Sequence, residues 1–216
     1  MAVYHVTEEQ LQEIIRTSVT EALSKGAFVV PVGVSNKHVH LTREDMNVLF
    51  GPNYMLTEKK KLSQPGQFAA EECVEIIGPK GSFPKVRILG PFRSKTQIEL
   101  SRTDCFTLGI KAPVRSSGDV KGTPGVTLKG PYGTLTVSEG VIVADRHIHL
   151  STEEALRFGV HDGDRVSVRV GGLKPGVMEN VLIRAGEKYR MDFHIDTDDA
   201  NAFDLHNGDL VIVSKE

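Results

Sequence analysis

Apolar positions fall into two regimes along the chain. Between residues 7 and 25, Leu11, Ile14, Ile15, Val19, Ala22 and Leu23 recur at a spacing that gathers them on one face of a helix. Thr7 and Gln10 have the form of a capping box, and Gly26 follows as a stop signal. The stripe predicts an amphipathic helix that either packs on its own chain or docks into a partner's groove. From Phe28 onward the period changes to short β-branched runs. Val74–Ile77, Lys85–Leu89, Gly140–Val143, Arg165–Val170, Val181–Arg184 and Leu210–Val213 are separated by Gly and Pro. Short strands with frequent turns favour small barrels over a helical or doubly wound fold. Brief helices are expected at Thr42–Phe50 and Thr152–Phe158, and a loop or hairpin at Lys121–Gly133.

The pattern also repeats. Val34-Ser35-Asn36-Lys37-His38-Val39-His40-Leu41-Thr42-Arg43-Glu44 is echoed 109 residues later by Val143-Ala144-Asp145-Arg146-His147-Ile148-His149-Leu150-Ser151-Thr152-Glu153. A second phrase, Val160-His161-Asp162-Gly163-Asp164-Arg165-Val166, returns as Leu205-His206-Asn207-Gly208-Asp209-Leu210-Val211 and reads as a tight turn feeding a strand. The expected fold is therefore mainly β. It consists of two small pseudo-symmetric β-barrel lobes with short capping helices, plus the N-terminal amphipathic helix.

Composition narrows the function. The net charge of −2 is spread over interspersed residues, so neither nucleic acid nor an anionic membrane is an expected partner. No apolar run approaches the roughly 20 residues of a membrane helix; Ala27–Val34 is broken by Pro31 and Gly33. The early acidic residues Glu8, Glu9 and Glu13 do not suit a secretory signal. Cys73 and Cys105 make no disulfide framework, so a reduced, cytosolic protein is expected.

Histidine carries the chemistry. On a strand, residues i and i+2 share a face, so His38 with His40, and His147 with His149, each aim two imidazoles at one point. A lone His-x-His would read as a polar pair on a solvated strand. Two in matched repeats point to metal. His194, in the alternating run Met191–Asp196, is the best further imidazole, and Glu99 is a candidate oxygen ligand. Such donor sets with an open position suit Zn²⁺, with Fe, Mn or Co as alternatives. His5, His161 and His206 are expected in the tail and in turns. Arg93, in Gly90-Pro91-Phe92-Arg93-Ser94-Lys95-Thr96, is a candidate anion clamp six residues from Glu99. Neither cysteine has the setting of an activated nucleophile.

On these residues the chain resembles the PduL-type phosphotransacylases, the phosphate propanoyltransferases. The resemblance rests on PVGVSNKHVHLTRED, LSQPGQFAAEE, VRILGPFRSKTQIELSRTD, LGIKAPVRSSGDVKGTPG, GVIVADRHIHLSTEEAL and MDFHIDTDDANAF, over residues 31–203. It implies two β-barrel lobes, residues 27–36 with 145–216 and residues 37–144, after an N-terminal segment 1–26. It further implies two Zn²⁺ per chain between the lobes. One would be held by His38, His40 and Glu99, with its fourth position for the coenzyme A sulfur. The other would be held by His147, His149 and His194 with water. Arg93 would hold phosphate, and Lys60, Arg87 and Asn201 would contact coenzyme A. The implied reaction converts a propanoyl- or acetyl-CoA and phosphate to acyl phosphate and CoA by direct phosphate attack. Residues 7–25 would serve as an encapsulation peptide that engages shell proteins of a bacterial microcompartment. That implies a site in the bacterial cytoplasm, inside such a compartment; whether the chain is a homo-oligomer is left open.

Two alternatives share these residues. A zinc-dependent acyl-CoA thioesterase or ester hydrolase would use water in place of phosphate. A non-catalytic metal-binding scaffold would close its coordination spheres and turn nothing over.

Overall fold

A computed structural model describes residues 7–9, 12–13, 16–17 and 26–215. In the N-terminal segment Glu8, Glu9, Gln12, Glu13, Arg16 and Thr17 are helical and exposed, the polar side of the expected helix. Its apolar stripe, Leu11 to Leu23, lies outside the described residues, as does His5. Gly26 adopts φ of +78°, a left-handed value that a side chain disfavours.

The chain then runs through β1 (Phe28–Ser35), β2 (His38–His40), α1 (Arg43–Phe50), β3 (Glu58–Lys61), β4 (Phe68–Ile77), β5 (Ser82–Gly90) and β6 (Gln97–Glu99). Next come α2 (Arg102–Leu108), β7 (Val114–Arg115), β8 (Val126–Lys129), β9 (Thr134–Val137) and β10 (Val141–Ala144). The last part holds β11 (His147–Leu150), α3 (Thr152–Phe158), β12 (Arg165–Val170), β13 (Gly176–Ala185), β14 (Asp192–Asp196), α4 (Thr197–Phe203) and β15 (Leu210–Ser214). Among the described residues no helix is long and apolar enough to cross a membrane.

The fold is mainly β, as the alternation predicts. Strands β1-β14-β11-β13-β12-β15 close into a barrel. The others form a half-barrel in the order β7-β10-β6-β2-β5-β4-β8-β9, with β3 on the flank of β4. β1 precedes every half-barrel strand in sequence yet seals the barrel, parallel to β14 and antiparallel to β15. Each sheet has its own core. Phe28, Val30, Ile148, Val168, Ile183 and Phe193 pack inside the barrel, and Val39, Met46, Ile76, Ile88, Ile98 and Leu128 inside the half-barrel. At about 1.5–3 kcal/mol for each fully buried aliphatic or aromatic side chain, either core is a substantial driving force.

The repeats fold alike. After each His-x-His strand the chain turns into a helix capped by Thr42 or Ser151, whose side chain accepts from the backbone N–H of Asp45 or Glu154. The Gly-Asp phrases are paired turns. Gly163 and Gly208 both take φ of +90°, and the backbone N–H groups of His161 and His206 donate to the carboxylates of Asp164 and Asp209, each at 2.7 Å. Lys121–Gly133 contains β8 and the turn toward β9, so it is a hairpin arm. Helices α2 and α4 were not expected. Their signal lies in the Ser101 and Asp196 caps.

Polar ties join the sheets across the gap between them. Gln64, in the turn between β3 and β4, clasps the Arg190 backbone: its Nε2 donates to the carbonyl at 2.9 Å and its Oε1 accepts from the N–H at 3.2 Å. Ser63 donates to Asp192. Asp198 accepts from the backbone N–H of Thr103 at 2.8 Å, capping α2 from the other lobe.

Candidate active site

A cleft of about 860 Å³ lies between the two sheets. Its walls bring together the paired histidines, Glu99, Arg93 and His194. Strand pairing explains the convergence. In the half-barrel, β2 runs antiparallel to β6 with His38 opposite Glu99. In the barrel, β11 runs antiparallel to β14 with His147 opposite His194. Each His-x-His strand thus meets its third side chain from a neighbouring strand at the same register.

The first cluster has an ionic character. Nε2 of His38 lies 3.4 Å from one Glu99 carboxylate oxygen, and Nε2 of His40 lies 4.0 Å from the other. Burial opposes charge on His38, but the Glu99 carboxylate outweighs it and raises the imidazole pKa. Burial likewise opposes charge on Glu99, yet the facing histidines hold its carboxyl well below the usual range. His40 is buried and next to His38, and its pKa falls to about 3. The second cluster holds only imidazoles. Nε2 of His147 lies 3.1 Å from Nε2 of His149, and the His194 ring centroid lies 5.2 and 4.9 Å from theirs. Burial and mutual repulsion lower the His147 pKa to about 4 and that of His149 to about 2. At neutral pH these rings are neutral and offer lone pairs.

Both clusters have the chemistry of a cation site. The ligand atoms within each lie within 4.8 Å of one another. Nδ1 of His38, His40 and His147 is tied to the carbonyls of Asn36, Leu89 and Asp145 at 2.8, 3.2 and 2.7 Å. Those bonds place a proton on Nδ1 and leave the inward Nε2 as a lone pair, the tautomer that metal ligation requires. Nδ1 of His149 is buried without a hydrogen-bond partner, so the second cluster has polar capacity that protein groups leave unfilled. Imidazole with carboxylate, or imidazole alone, suits zinc.

Arg93 sits in the cleft wall and donates from Nη1 to the Ser117 hydroxyl at 3.0 Å. Ser117 in turn donates to Glu99 at 3.0 Å and accepts from Gln97 at 2.8 Å, and Gln97 donates to Glu99 at 2.6 Å. Burial lowers the Arg93 pKa, and Arg184 across the cleft lowers it further. Two arginines in one recess leave positive charge for an anion to neutralise. Arg184 is braced by Tyr189, its Nη2 donating to the phenol oxygen at 3.0 Å.

Lys60 and Arg87 line the cleft, the latter with its guanidinium on the carbonyls of Ala70 and Glu71. Asn201 does not; it is exposed on α4, where its carbonyl accepts from Lys174 at 2.9 Å. Neither Cys73 nor buried Cys105 lines the cleft. His161 and His206 are exposed in their turns. Arg184, Ser117, Gln97 and Asp192 were missed by sequence reasoning. Gln97 and Asp192 each stand two residues before a third cluster member, an alternation that could have found them; Ser117 lies in a loop with no local signal.

Comparison with known proteins agrees with this geometry. The family model described as phosphate propanoyltransferase matches residues 31–206. A phosphate propanoyltransferase of Rhodobacter capsulatus is 53% identical over 183 residues, 85% of this chain and 82% of the relative. Relatives of the same description from Thermotoga maritima and Salmonella typhimurium are 54% and 48% identical. They cover 76% and 87% of this chain, and 78% and 88% of their own lengths.

Proposed function

Because the chain belongs to the phosphate propanoyltransferase family and is a phosphate acyltransferase, we propose that its cleft runs a zinc-dependent transfer of a short acyl group between coenzyme A and phosphate. The relatives' names favour the propanoyl group, with acetyl as the neighbouring substrate. The observation that carries the reading is the meeting of two ligand clusters and a half-buried arginine in one recess.

A phosphate oxygen attacks the thioester carbonyl carbon, the C–S bond breaks, and the products are acyl phosphate and CoA. His38, His40 and Glu99 would hold one Zn²⁺, and His147, His149 and His194 the other. Zinc when bound supplies Lewis-acid polarisation of a carbonyl and stabilisation of a departing thiolate. The chain's own residues do the positioning. Arg93 grips the phosphate through its planar fork, and its tether to Ser117 fixes where that fork points. Holding phosphate against the thioester converts an encounter into an intramolecular step. The Arg93 charge also offsets repulsion as anionic oxygens approach. No protein nucleophile is needed, consistent with cysteines that stand away from the cleft. Lys60 and Arg87 supply positive charge on the cleft wall for the phosphates of coenzyme A.

Residues 27–36 with 145–216 and residues 37–144 act in this reading as the two lobes that present one cluster each. Residues 7–25 would dock on a microcompartment shell protein.

The test is CoA release from acetyl-, propanoyl- and butanoyl-CoA, with and without phosphate, before and after chelation. Phosphate-dependent, chelator-sensitive release, fastest with propanoyl-CoA, is the expected result. Release without phosphate would instead establish a hydrolase, and no release at all a metal-binding scaffold.

A further inference from the structure

The two clusters are built on the same strand grammar, and that likeness extends one residue beyond the ligands. Opposite His40 on β6 stands Gln97, and opposite His149 on β14 stands Asp192. Both precede the third cluster member by two residues and share its face of the strand. Both are buried, Gln97 at 1% and Asp192 at 6% exposure. Each hydrogen-bonds the side chain it precedes. Gln97 donates an amide N–H to the Glu99 carboxylate, whereas Asp192 accepts from Nε2 of His194 at 2.9 Å. A donor supports the acidic ligand and an acceptor supports the basic one.

We infer that Asp192 is a positioning residue for His194, fixing its ring orientation and its tautomer. With Nε2–H held by the carboxylate, Nδ1 is the nitrogen left with a lone pair for the cluster. A carboxylate behind a ligating histidine also raises the basicity of the ring. Two other residues hold Asp192 in place. Ser63 donates its hydroxyl to the same carboxylate oxygen from the β3–β4 turn of the opposite lobe. Gly33 on β1 lies beside His194 in register, and a Cβ there would come within 2.9 Å of both Asp192 Oδ1 and His194 Cδ2. The absence of a side chain at residue 33 is what lets the carboxylate and the ring lie together. Because Ser63 comes from the half-barrel, the brace behind the barrel's cluster draws on both lobes.

This inference rests on the reading of the clusters as metal sites, and metal binding tests the two separately. Zn²⁺ is titrated into the metal-free full chain against a chromophoric chelator, and Co²⁺ substitution gives a visible spectrum of each site. Wild type is expected to take up two ions. Asp192→Ala should loosen one of them about 10–100-fold and change the Co²⁺ bands of that site only. The His38, His40 and Glu99 site should keep its affinity in the same variant, an internal control for folding. Asp192→Asn should restore most of the loss, since a carbonyl oxygen in the place of Oδ2 accepts from both the imidazole and the Ser63 hydroxyl. Ser63→Ala, a change in a turn outside both cores, should loosen the same ion several-fold and stands in if Asp192→Ala does not fold. Wild-type affinity and an unchanged Co²⁺ spectrum in Asp192→Ala, or in Ser63→Ala where the first does not fold, would overturn the inference alone. A wild-type chain that takes up no ion at the histidine-only cluster would overturn the metal reading as well.

Discussion

The half-barrel cluster and the barrel cluster share a strand pair, a His-x-His phrase and a capped helix, and they differ at one position. Glu99 brings an anionic ligand to the first; His194 makes the second all imidazole. The anionic cluster holds itself together, since His38 and Glu99 attract each other at 3.4 Å. In the all-imidazole cluster the close contact is ring on ring, with Nε2 of His147 3.1 Å from Nε2 of His149. One architecture therefore produces two candidate cation sites of different character, one with a carboxylate among its ligands and one with imidazoles alone. Each lobe also contributes an arginine to the cleft, Arg93 braced by Ser117 and Arg184 braced by Tyr189. Both braces continue into a cluster member, Ser117 by a hydrogen bond to Glu99 and Tyr189 by packing its ring on His149 with centroids 4.4 Å apart.

The largest effect should follow from cutting the Arg93 connection. Arg93→Ala is expected to lower phosphate-dependent CoA release about 10²–10³-fold, the range for loss of one preorganised charge-stabilising group. A rise in the phosphate KM should accompany it in steady-state kinetics. If Arg184→Ala were as damaging and Arg93→Ala mild, the assignment of the phosphate to the half-barrel side would be reversed.

The charge difference between the clusters has a pH signature in the metal-free chain. His147 and His149 refuse protons until about pH 4 and about pH 2, whereas unfolded histidine takes them up near 6.5. The unfolded chain therefore binds more protons as pH falls below 6.5, and these residues cost stability on acidification. His38 has the opposite sign. Its raised pKa contributes stability that is complete below 6.5 and fades as pH rises through the folded value. Glu99 contributes above its ordinary 4.5 and loses that contribution only as pH falls through its depressed value. His40, held near 3, sides with the barrel pair. Three histidines outweigh one, so the unfolding temperature of the metal-free chain should drop from pH 7 to pH 5. Glu99→Gln should cost about 2 kcal/mol near pH 6, the worth of a charged hydrogen bond. That corresponds to about 4–8 °C for a chain of this size. His149→Gln should flatten the acid limb without that loss.

Smaller effects probe what joins the lobes and what stands outside them. Asp198→Ala removes the cap that one lobe lends to α2 of the other and should cost about 1 kcal/mol in thermal or urea unfolding. Cys73→Ser should leave turnover unchanged, and an acyl group trapped on that thiol would sink the direct-attack mechanism. Deleting residues 1–26 should leave turnover and unfolding temperature alike; failure to fold would assign the N-terminal stripe to packing on its own chain.

Much of the site was legible because its grammar is local. A two-residue period on a strand puts His38 with His40 and His147 with His149 regardless of what surrounds them, and the duplicated phrase announced two such strands. Glu99 and His194 were reachable as candidates, since each lies in an alternating run. The groups that hold them were not. Ser117 reaches Glu99 from 18 residues away and Ser63 reaches Asp192 from 129 away, and no pattern in a single chain states such pairings. The half-barrel's open path and the helices α2 and α4 were likewise out of reach, being products of strand order and of caps rather than of period.

The sequence alone determined the mainly β texture and the duplicated His-x-His strands, because these follow from side-chain period and chemistry along a few adjacent residues. Tertiary structure decided that β1 seals the later barrel, that His38 faces Glu99 and His147 faces His194, and that both clusters and two arginines share one cleft. Those facts depend on which strands pair and in what register. Register is set by the packing of two separate cores, a sum over residues far apart in the chain.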